Sequence, residues 1–116
     1  MTIIAIFEVE GATENVSDSV AHAIFRVVQE ALSNVHRHAQ ATNVGVRLTA
    51  RERMVHVGVS DDGCGIPEDL RHGVGLLGMT ARVREHGGRL SIRNSSPGTV
   101  IRASLRLPVG GKIAAQ

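Results

Sequence analysis

Aromatic residues, cysteine and lysine are scarce in this chain of 116 residues. It contains no tryptophan or tyrosine, two phenylalanines, one cysteine and one lysine. A single cysteine excludes an internal disulfide and is typical of a reducing compartment, so we expect a cytoplasmic location. The chain also lacks a run of about 20 apolar residues, the length that spans a bilayer, and its start lacks the pattern of a signal peptide. We therefore expect this domain itself to make no contact with a membrane.

Arginine supplies almost all of the positive charge. The lone lysine, Lys112, follows two glycines near the end of the chain. The lysine that a P-loop places on nucleotide phosphates is therefore missing, which excludes a Walker-type NTPase. The arginines are scattered along the sequence, and the formal net charge is only +2. Because a nucleic-acid-binding surface usually combines a basic stripe with aromatic residues, we expect no nucleic-acid partner.

Length and hydrophobic pattern predict one α+β domain over residues 1–108, with a flexible C-terminal tail at 109–116. Period-two alternation marks strands and 3.6-residue periodicity marks helices, which gives the order β-α-β-β-loop-α-β-β. The predicted strands are 2–9, 43–49, 55–60, 90–92 and 99–107, and the predicted helices are 18–39 and 75–86. Hairpins joined by single helices indicate a two-layer α/β sandwich, with a mixed and mainly antiparallel sheet and helices on one face.

Two strands end in polar residues on the side that should face the helices. The inward set of the third strand, which starts at Val55, next reaches Asp61. The inward set of the last strand, followed backwards from Leu107, reaches Thr99. A buried carboxylate without a partner is costly, so Asp61 either borders water or meets a bound donor. The alternative is a frayed and solvated strand end, where side-chain parity has no meaning.

The first helix carries a second polar set. Glu30 and Asn34 are four residues apart and therefore about 40° apart around the helix, at the border of its apolar stripe, and His38 continues the row. A carboxylate and an amide oxygen at this spacing suit a hard cation such as Mg²⁺, which takes several ligands from substrate phosphates. The alternative is a solvated helix edge with an incidental glutamate and asparagine.

Residues 61–79, DDGCGIPEDLRHGVGLLGM, connect the third strand to the second helix. Gly63 and Gly65 let the backbone approach a planar ligand, beside a carboxylate that accepts from an exocyclic amine. The stretch Gly73–Gly78 opens a helix whose free N–H groups favour an anion. Its G-x-G-x-x-G spacing is not a dinucleotide fingerprint, because no strand directly precedes it and no acidic residue follows about 20 positions later. This stretch would suit a nucleotide whose base and phosphates are bound at separate places. Alternatively, the glycines serve only the turns and the entry into the helix.

Four stretches occur in a fixed order along nearly the whole chain: FRVVQEALSNVHRHAQA, VSDDGCGIP, GVGLLGM and GTVIRASLRLP. They resemble, in turn, the N box, the G1 box, the G2 box and the closing Gly-Thr strand of the GHKL (Bergerat-fold) ATPases. The resemblance is specifically to the catalytic ATP-binding domain of bacterial sensor histidine kinases. The stretch QEALSNVHRHAQA and the short G1–G2 connector, without an F box, are most similar to the nitrate-sensor and thermosensor branch, which has a short ATP lid.

The resemblance implies ATP as a ligand and assigns residues to its base. Asp61 would accept a hydrogen bond from the adenine amino group, in a pocket that Gly63, Gly65 and Ile66 shape. Thr99 would line the base pocket or contact a phosphate.

The resemblance also implies Mg²⁺ and a set of catalytic and phosphate-binding residues. Asn34 would ligate Mg²⁺ that bridges the phosphates, and Glu30 would polarise the water shell of the metal or the attacking group. His38 and Arg37 would approach the phosphates. The connector 66–72 would be the lid. The opening of the second helix would cradle the phosphates through Gly73, Val74, Gly75 and Leu76.

By the same resemblance, the domain donates the γ-phosphoryl group of ATP to a histidine on a separate helical dimerisation and phosphotransfer domain, and a response regulator is the next partner. None of the six histidines is followed by Asp or Glu, the pattern of such an acceptor. We therefore expect the acceptor to lie outside this chain, in a parent protein whose anchoring in the inner membrane stays open. Two alternatives remain: an anti-sigma-type protein-serine kinase and a non-catalytic nucleotide-binding or interaction module.

Overall fold

The described residues of the computed structural model, 4–11, 16–65, 74–95 and 97–107, form five strands and two helices. For residues 38–39 and 74–76 the backbone alone is described. In chain order the elements are β1 (Ile4–Gly11), α1 (Asp18–Asn34), β2 (Asn43–Arg51), β3 (Met54–Asp61), α2 (Val74–Glu85), β4 (Arg89–Asn94) and β5 (Thr99–Arg106). Within this part of the chain, neither helix is long and apolar enough to cross a membrane.

The strands form one sheet in the order β1-β2-β3-β5-β4. β1 pairs with β2 in parallel, and α1 is the crossover between them, whereas the other neighbouring strands pair antiparallel. α1 contacts β3 and β5, and α2 contacts β4 and β5. The predicted α+β two-layer sandwich, with a mixed and mainly antiparallel sheet and helices on one face, is confirmed.

α1 begins where its sequence predicts and changes its geometry before the predicted end. The Oγ of Ser17 accepts a hydrogen bond from the backbone N–H of Val20 at 3.3 Å, which caps the helix. After Asn34 the chain continues as a π-helical turn, Val35–Ala39, and Gln40, with a φ of +54°, ends it. The last turn is therefore wider than α-helical periodicity assumes.

The core lies between the helices and the inward face of the sheet. β2, β3 and β5 alternate buried and more accessible residues, as their sequences predict. The inward apolar side chains of β3 and β5 pack with the buried faces of both helices: Val55, Val57, Val59, Ile101, Ala103, Leu105, Val20, Val27, Ala31, Met79 and Val83. The inward row of β3 ends at Asp61, and that of β5 starts at Thr99.

β1 lies at the edge of the sheet that the helices do not cover. Since the principal helix contacts are with β3, β4 and β5, apolar side chains of β1 remain about 60% exposed on both faces: Ile4, Ile6, Phe7 and Val9. β1 is consequently held to the domain mainly by its backbone hydrogen bonds with β2.

Truncation of Leu105 to alanine is expected to lower the free energy of unfolding by about 2–5 kcal/mol, because it leaves a cavity in the core. The Leu105 side chain has 0% of its area exposed. Urea denaturation followed by circular dichroism measures the change. Leu77→Ala is the matched control, since Leu77 is 59% exposed on α2 and alanine favours a helix. Equal losses in the two variants would contradict this core.

Candidate functional site

Asp61 and Thr99 lie side by side at the ends of two neighbouring strands. They form a direct antiparallel pair between β3 and β5, and both side chains face the helix layer. Thr99 is only 2% exposed, and Asp61 is half-buried. Together with Asn34 on α1, they border a small cavity of about 10 Å³, which is roughly the room that one water molecule needs.

The carboxyl group of Asp61 is destabilised in its charged form. Burial raises its pKa above the ordinary value, and backbone hydrogen bonds from Gly63 and Thr99 oppose this only in part. The N–H of Gly63 donates to Oδ1 of Asp61 at 2.8 Å. The negative charge of the adjacent Asp62 raises the pKa further. The ion pairs of the described residues do not involve Asp61, so no cationic side chain among them compensates for its charge.

Two glycines with positive φ let the backbone come close to polar side chains of the site. Gly98 has a φ of +91°, and a Cβ there would overlap the carbonyl oxygen of Asp61 and lie 3.1 Å from its Oδ1. Gly65 has a φ of +86°, and a Cβ there would lie 3.0 Å from Oδ1 of Asn94. The same Asn94 oxygen accepts from the hydroxyl of Thr99 at 3.3 Å. Side chains at either glycine would strain the backbone and crowd the site.

Asp62 fastens the loop after β3 to the start of β2. Its Oδ1 accepts from the backbone N–H groups of Thr42 and Asn43, both at 2.9 Å. Its Oδ2 accepts from the Thr42 hydroxyl at 3.1 Å and from the Asn43 side-chain amide at 2.8 Å. These hydrogen bonds, first of all those from Asn43, hold the pKa of the exposed Asp62 carboxyl well below its usual range. Asp62 thereby fixes the position of the loop that follows Asp61.

Glu30, Asn34 and Arg37 meet at the end of α1. The guanidinium Nη2 of Arg37 donates to Oδ1 of Asn34 at 3.2 Å and lies 3.5 Å from Oε2 of Glu30. Asn34 is 9% exposed, whereas the Arg37 side chain is 53% exposed. The two oxygens that the sequence predicts as metal-facing are therefore next to each other, and Arg37 bridges them in this structure.

The oxygens of Glu30 and Asn34 suit a metal that is shared with a ligand. Among the described residues, no group of three or more His, Cys, Asp or Glu side chains is placed to hold a metal ion. Mg²⁺ usually takes one or two protein oxygens and completes its shell with phosphate oxygens and water. The donor set at the end of α1 fits such a shared site and does not fit a cation held by protein alone.

The remaining predicted site residues are described in part or not at all. Ile66, Gly73 and the connector 66–72 lie outside the described residues. The backbone of His38 lies in the π-helical turn, so the straight α-helical row that its prediction assumed does not continue past Asn34. α2 begins at Val74, so Val74, Gly75 and Leu76 form its first turn.

Sequence reasoning missed three residues that shape the site: Asp62, Asn94 and Gly98. The Asp-Asp pair and the Ser-Pro-Gly turn are visible in the sequence, but their partners lie far along the chain. Asp62 bonds residues about 20 positions earlier, and Gly98 approaches Asp61 only because β5 pairs with β3. Strand order, which local patterns do not carry, was needed to find them.

The sequence of this chain is similar to one protein family and to sensor histidine kinases within it. Residues 19–109 match the family model described as "Histidine kinase-, DNA gyrase B-, and HSP90-like ATPase". The chain is 34% identical over 103 residues to the sensor histidine kinase MctS of Rhizobium johnstonii, covering 84% of this chain and 22% of that protein. It is 37% identical over 98 residues to the signal transduction histidine-protein kinase/phosphatase DegS of Brevibacillus brevis, covering 82% of this chain and 25% of that protein.

The fold is also found in solved structures. The blue-light activated histidine kinase EL346 of Erythrobacter litoralis superimposes with a TM-score of 0.79 at 24% identity, covering 100% of this chain and 38% of that one. The chain thus spans about a quarter or less of the curated relatives named above. The sequence matches place the chain in one family, and the solved structure shares its fold. The chain belongs to the histidine kinase-, DNA gyrase B- and HSP90-like ATPases, as an ATP-binding domain of the sensor histidine kinase type.

Proposed function

We propose that the domain binds ATP with Mg²⁺ and donates the γ-phosphoryl group to a histidine on a helical dimerisation and phosphotransfer domain, from which it passes to a response regulator. The observation that carries the proposal is the half-buried carboxylate of Asp61 beside Thr99, facing a cavity that Asn34 also borders. Membership of the ATPase family and similarity to sensor histidine kinases support it.

The base end of the site follows from the chemistry of Asp61. A half-buried carboxylate without a cationic partner gains from a neutral N–H donor, and the exocyclic amine of adenine is such a donor. Guanine presents a carbonyl oxygen at the equivalent ring position, which would repel the carboxylate. Gly98 lets the backbone pack against Asp61, and Gly65 lets it pack against Asn94, so both glycines shape the surroundings of this carboxylate. This end therefore selects adenine over guanine.

The phosphate end uses the end of α1 and the start of α2. Mg²⁺, when bound, supplies a Lewis acid that draws charge from the phosphates. Asn34 would hold the metal through its side-chain oxygen. Arg37, which bridges Asn34 and Glu30 in this structure, would give up these contacts and donate to phosphate oxygens. His38 approaches the same phosphates, and the free N–H groups in the first turn of α2, at Val74–Leu76, cradle them.

The transfer step requires an acceptor imidazole whose ring nitrogen attacks the γ-phosphorus while the bond to the β-phosphate oxygen breaks and ADP leaves. Glu30 accepts the N–H of the other ring nitrogen and so keeps the attacking lone pair free. Once Arg37 has moved to phosphate, the Glu30 carboxylate is available for this task. The acceptor lies outside this chain, so the isolated domain binds nucleotide without phosphorylating itself.

Calorimetry with ATP tests the two ends separately. Asp61→Asn is expected to weaken ATP binding by at least about tenfold with and without Mg²⁺, since it puts an amide in place of the charged acceptor. Asn34→Ala is expected to lose mainly the Mg²⁺-dependent part. Asp18→Asn, on the exposed start of α1, is the control and leaves affinity unchanged. Wild-type ATP affinity in Asp61→Asn would refute the base assignment.

The same Asp61→Asn variant is expected to be more stable than the wild type at about pH 7. Because folding raises the pKa of Asp61, the native state disfavours the ionised form, and wild-type stability falls as pH rises from the unfolded-state pKa through the folded one. At about pH 3 both side chains are neutral and the difference in Tm vanishes. Thermal denaturation at the two pH values measures it. A Tm below that of the wild type at neutral pH would contradict the raised pKa.

Phosphoryl transfer is tested with radiolabelled ATP and the histidine-bearing helical hairpin of the longer parent protein. Acid-labile, base-stable label is expected on the hairpin and none on the 116-residue chain alone. Glu30→Gln is expected to retain ATP affinity and to slow transfer by at least about 100-fold. Phosphoserine on a partner would replace this function by that of a protein-serine kinase. Tight ATP binding without transfer to any acceptor would leave a non-catalytic nucleotide-binding module.

A further inference from the structure

The arginines that are scattered along the sequence gather on the sheet face opposite the helices. Strand alternation puts six of the twelve there, and all six are exposed. They are Arg47 and Arg51 on β2, Arg102 and Arg106 on β5, and Arg89 and Arg93 on β4. Among the described residues of this face, the only negatively charged side chains are those of Glu8 and Glu10 on β1. Its excess of four positive charges is larger than the +2 of the whole chain.

A groove crosses the middle of this open sheet face. The strand register puts Gly58 directly between Arg47 and Arg102, with Glu8 beyond Arg47 and Ser91 beyond Arg102. Neighbouring strands are about 4.8 Å apart, so the two arginine backbones lie about 10 Å apart across the glycine. Two adjoining cavities, of about 580 and 480 Å³, share the lining residues Arg47, Gly58 and Arg102.

Nothing among the described residues explains why position 58 is a glycine. It lies in the middle of β3 and is absent from the residues with positive φ, so its backbone does not require glycine. A Cβ built there meets no atom within 4 Å, so internal packing does not require glycine either. Glycine weakens a strand interior and marks places where another chain or a ligand comes close. The close approach of another chain or a ligand from outside would account for Gly58.

The chemistry of the groove selects its occupant. Arginine guanidinium groups are planar forks that bind carboxylates in a bidentate manner. Among the described residues the open face has no phenylalanine, tyrosine or tryptophan, the large rings on which nucleic-acid bases stack. Glu8 and Glu10 along one margin would repel a broad anionic membrane. A narrow acidic chain that runs between Arg47 and Arg102 fits both the charge and the width.

We propose that this face binds an acidic polypeptide segment of a partner protein, whose backbone passes over Gly58 with carboxylates directed to Arg47 and Arg102. In this structure Arg47 donates to Oε1 of Glu8 at 2.8 Å, so the segment would compete with Glu8 for Arg47, whereas no ion pair of the described residues involves Arg102. The floor continues past Gly45 and Ser60 towards one end, and past His56, flanked by Thr49 and Ser104, towards the other. The site is separate from the proposed nucleotide site, because Asp61 and Thr99 face the opposite side of the sheet.

Fluorescence anisotropy with a labelled 12-residue peptide of alternating glutamate and serine tests the proposal in low salt. The wild type is expected to bind it, and about 0.5 M NaCl is expected to abolish binding. Arg102→Gln is expected to weaken binding at least about fivefold. Gly58→Thr is expected to do the same by filling the groove, with an unchanged or higher Tm because threonine favours strands. Arg26→Gln, an equal charge loss on α1, is the matched control and changes affinity less than about twofold.

Three outcomes would overturn the acidic-peptide site. The first is no peptide binding at about 1 mM protein. The second is that Arg26→Gln weakens peptide binding as much as Arg102→Gln does, or that Gly58→Thr does not weaken it. Either result would reduce the interaction to unspecific charge attraction. The third is tighter binding, lost in Arg102→Gln, of a 15-nucleotide single-stranded DNA or of phosphatidylserine vesicles, which would assign the face to nucleic acid or membrane. ATP affinity is expected to stay unchanged in Arg102→Gln and Gly58→Thr, which separates this test from that of the nucleotide site.

Discussion

The half-buried carboxylate of Asp61 is the constraint to which most of the site conforms. Its charge lacks a cationic partner among the described residues, so it depends on backbone donors such as the N–H of Gly63. Gly98 has to be a glycine because a side chain there would meet Asp61. Asp62, held by four hydrogen bonds to the start of β2, keeps the loop in place. The domain thus maintains an energetically costly group whose most direct compensation is a bound donor.

The two ends of the site are built differently. In the proposed function, the base end rests on the pairing of β3 with β5, which places Asp61 beside Thr99. In the same proposal, the phosphate end includes an exposed arginine that bridges Asn34 and Glu30 and would exchange these partners for phosphate. The π-helical turn after Asn34 belongs to this adaptable end, and such wide turns are frequent at functional sites. The proposed selectivity for the base and the proposed response to phosphate would therefore reside in separate elements.

Local sequence patterns predicted the helices and strands, and those site residues whose positions follow from strand alternation or helical spacing. Alternation along β3 and β5 was enough to turn Asp61 and Thr99 inward, and helical spacing was enough to bring Glu30 next to Asn34. Three features depend on which strands are neighbours, and local sequence patterns do not contain this information. They are the hydrogen bonds between Asp62 and Thr42, the close approach of Gly98 to Asp61, and the arginine-rich face. His38 illustrates a different limit, because the π-helical turn interrupts the periodicity from which its place in the row was inferred.

The exposure of β1 on both faces has a consequence for the dynamics of the domain. A strand with few buried apolar contacts opens at a lower free energy than strands in the core, so its amides exchange with solvent through local rather than global unfolding. Its removal leaves the packing of β3 and β5 against the helices intact, since the core does not use its side chains. The domain accordingly consists of a cooperative unit that contains the Asp61–Thr99 pair and a separately melting strand at its margin.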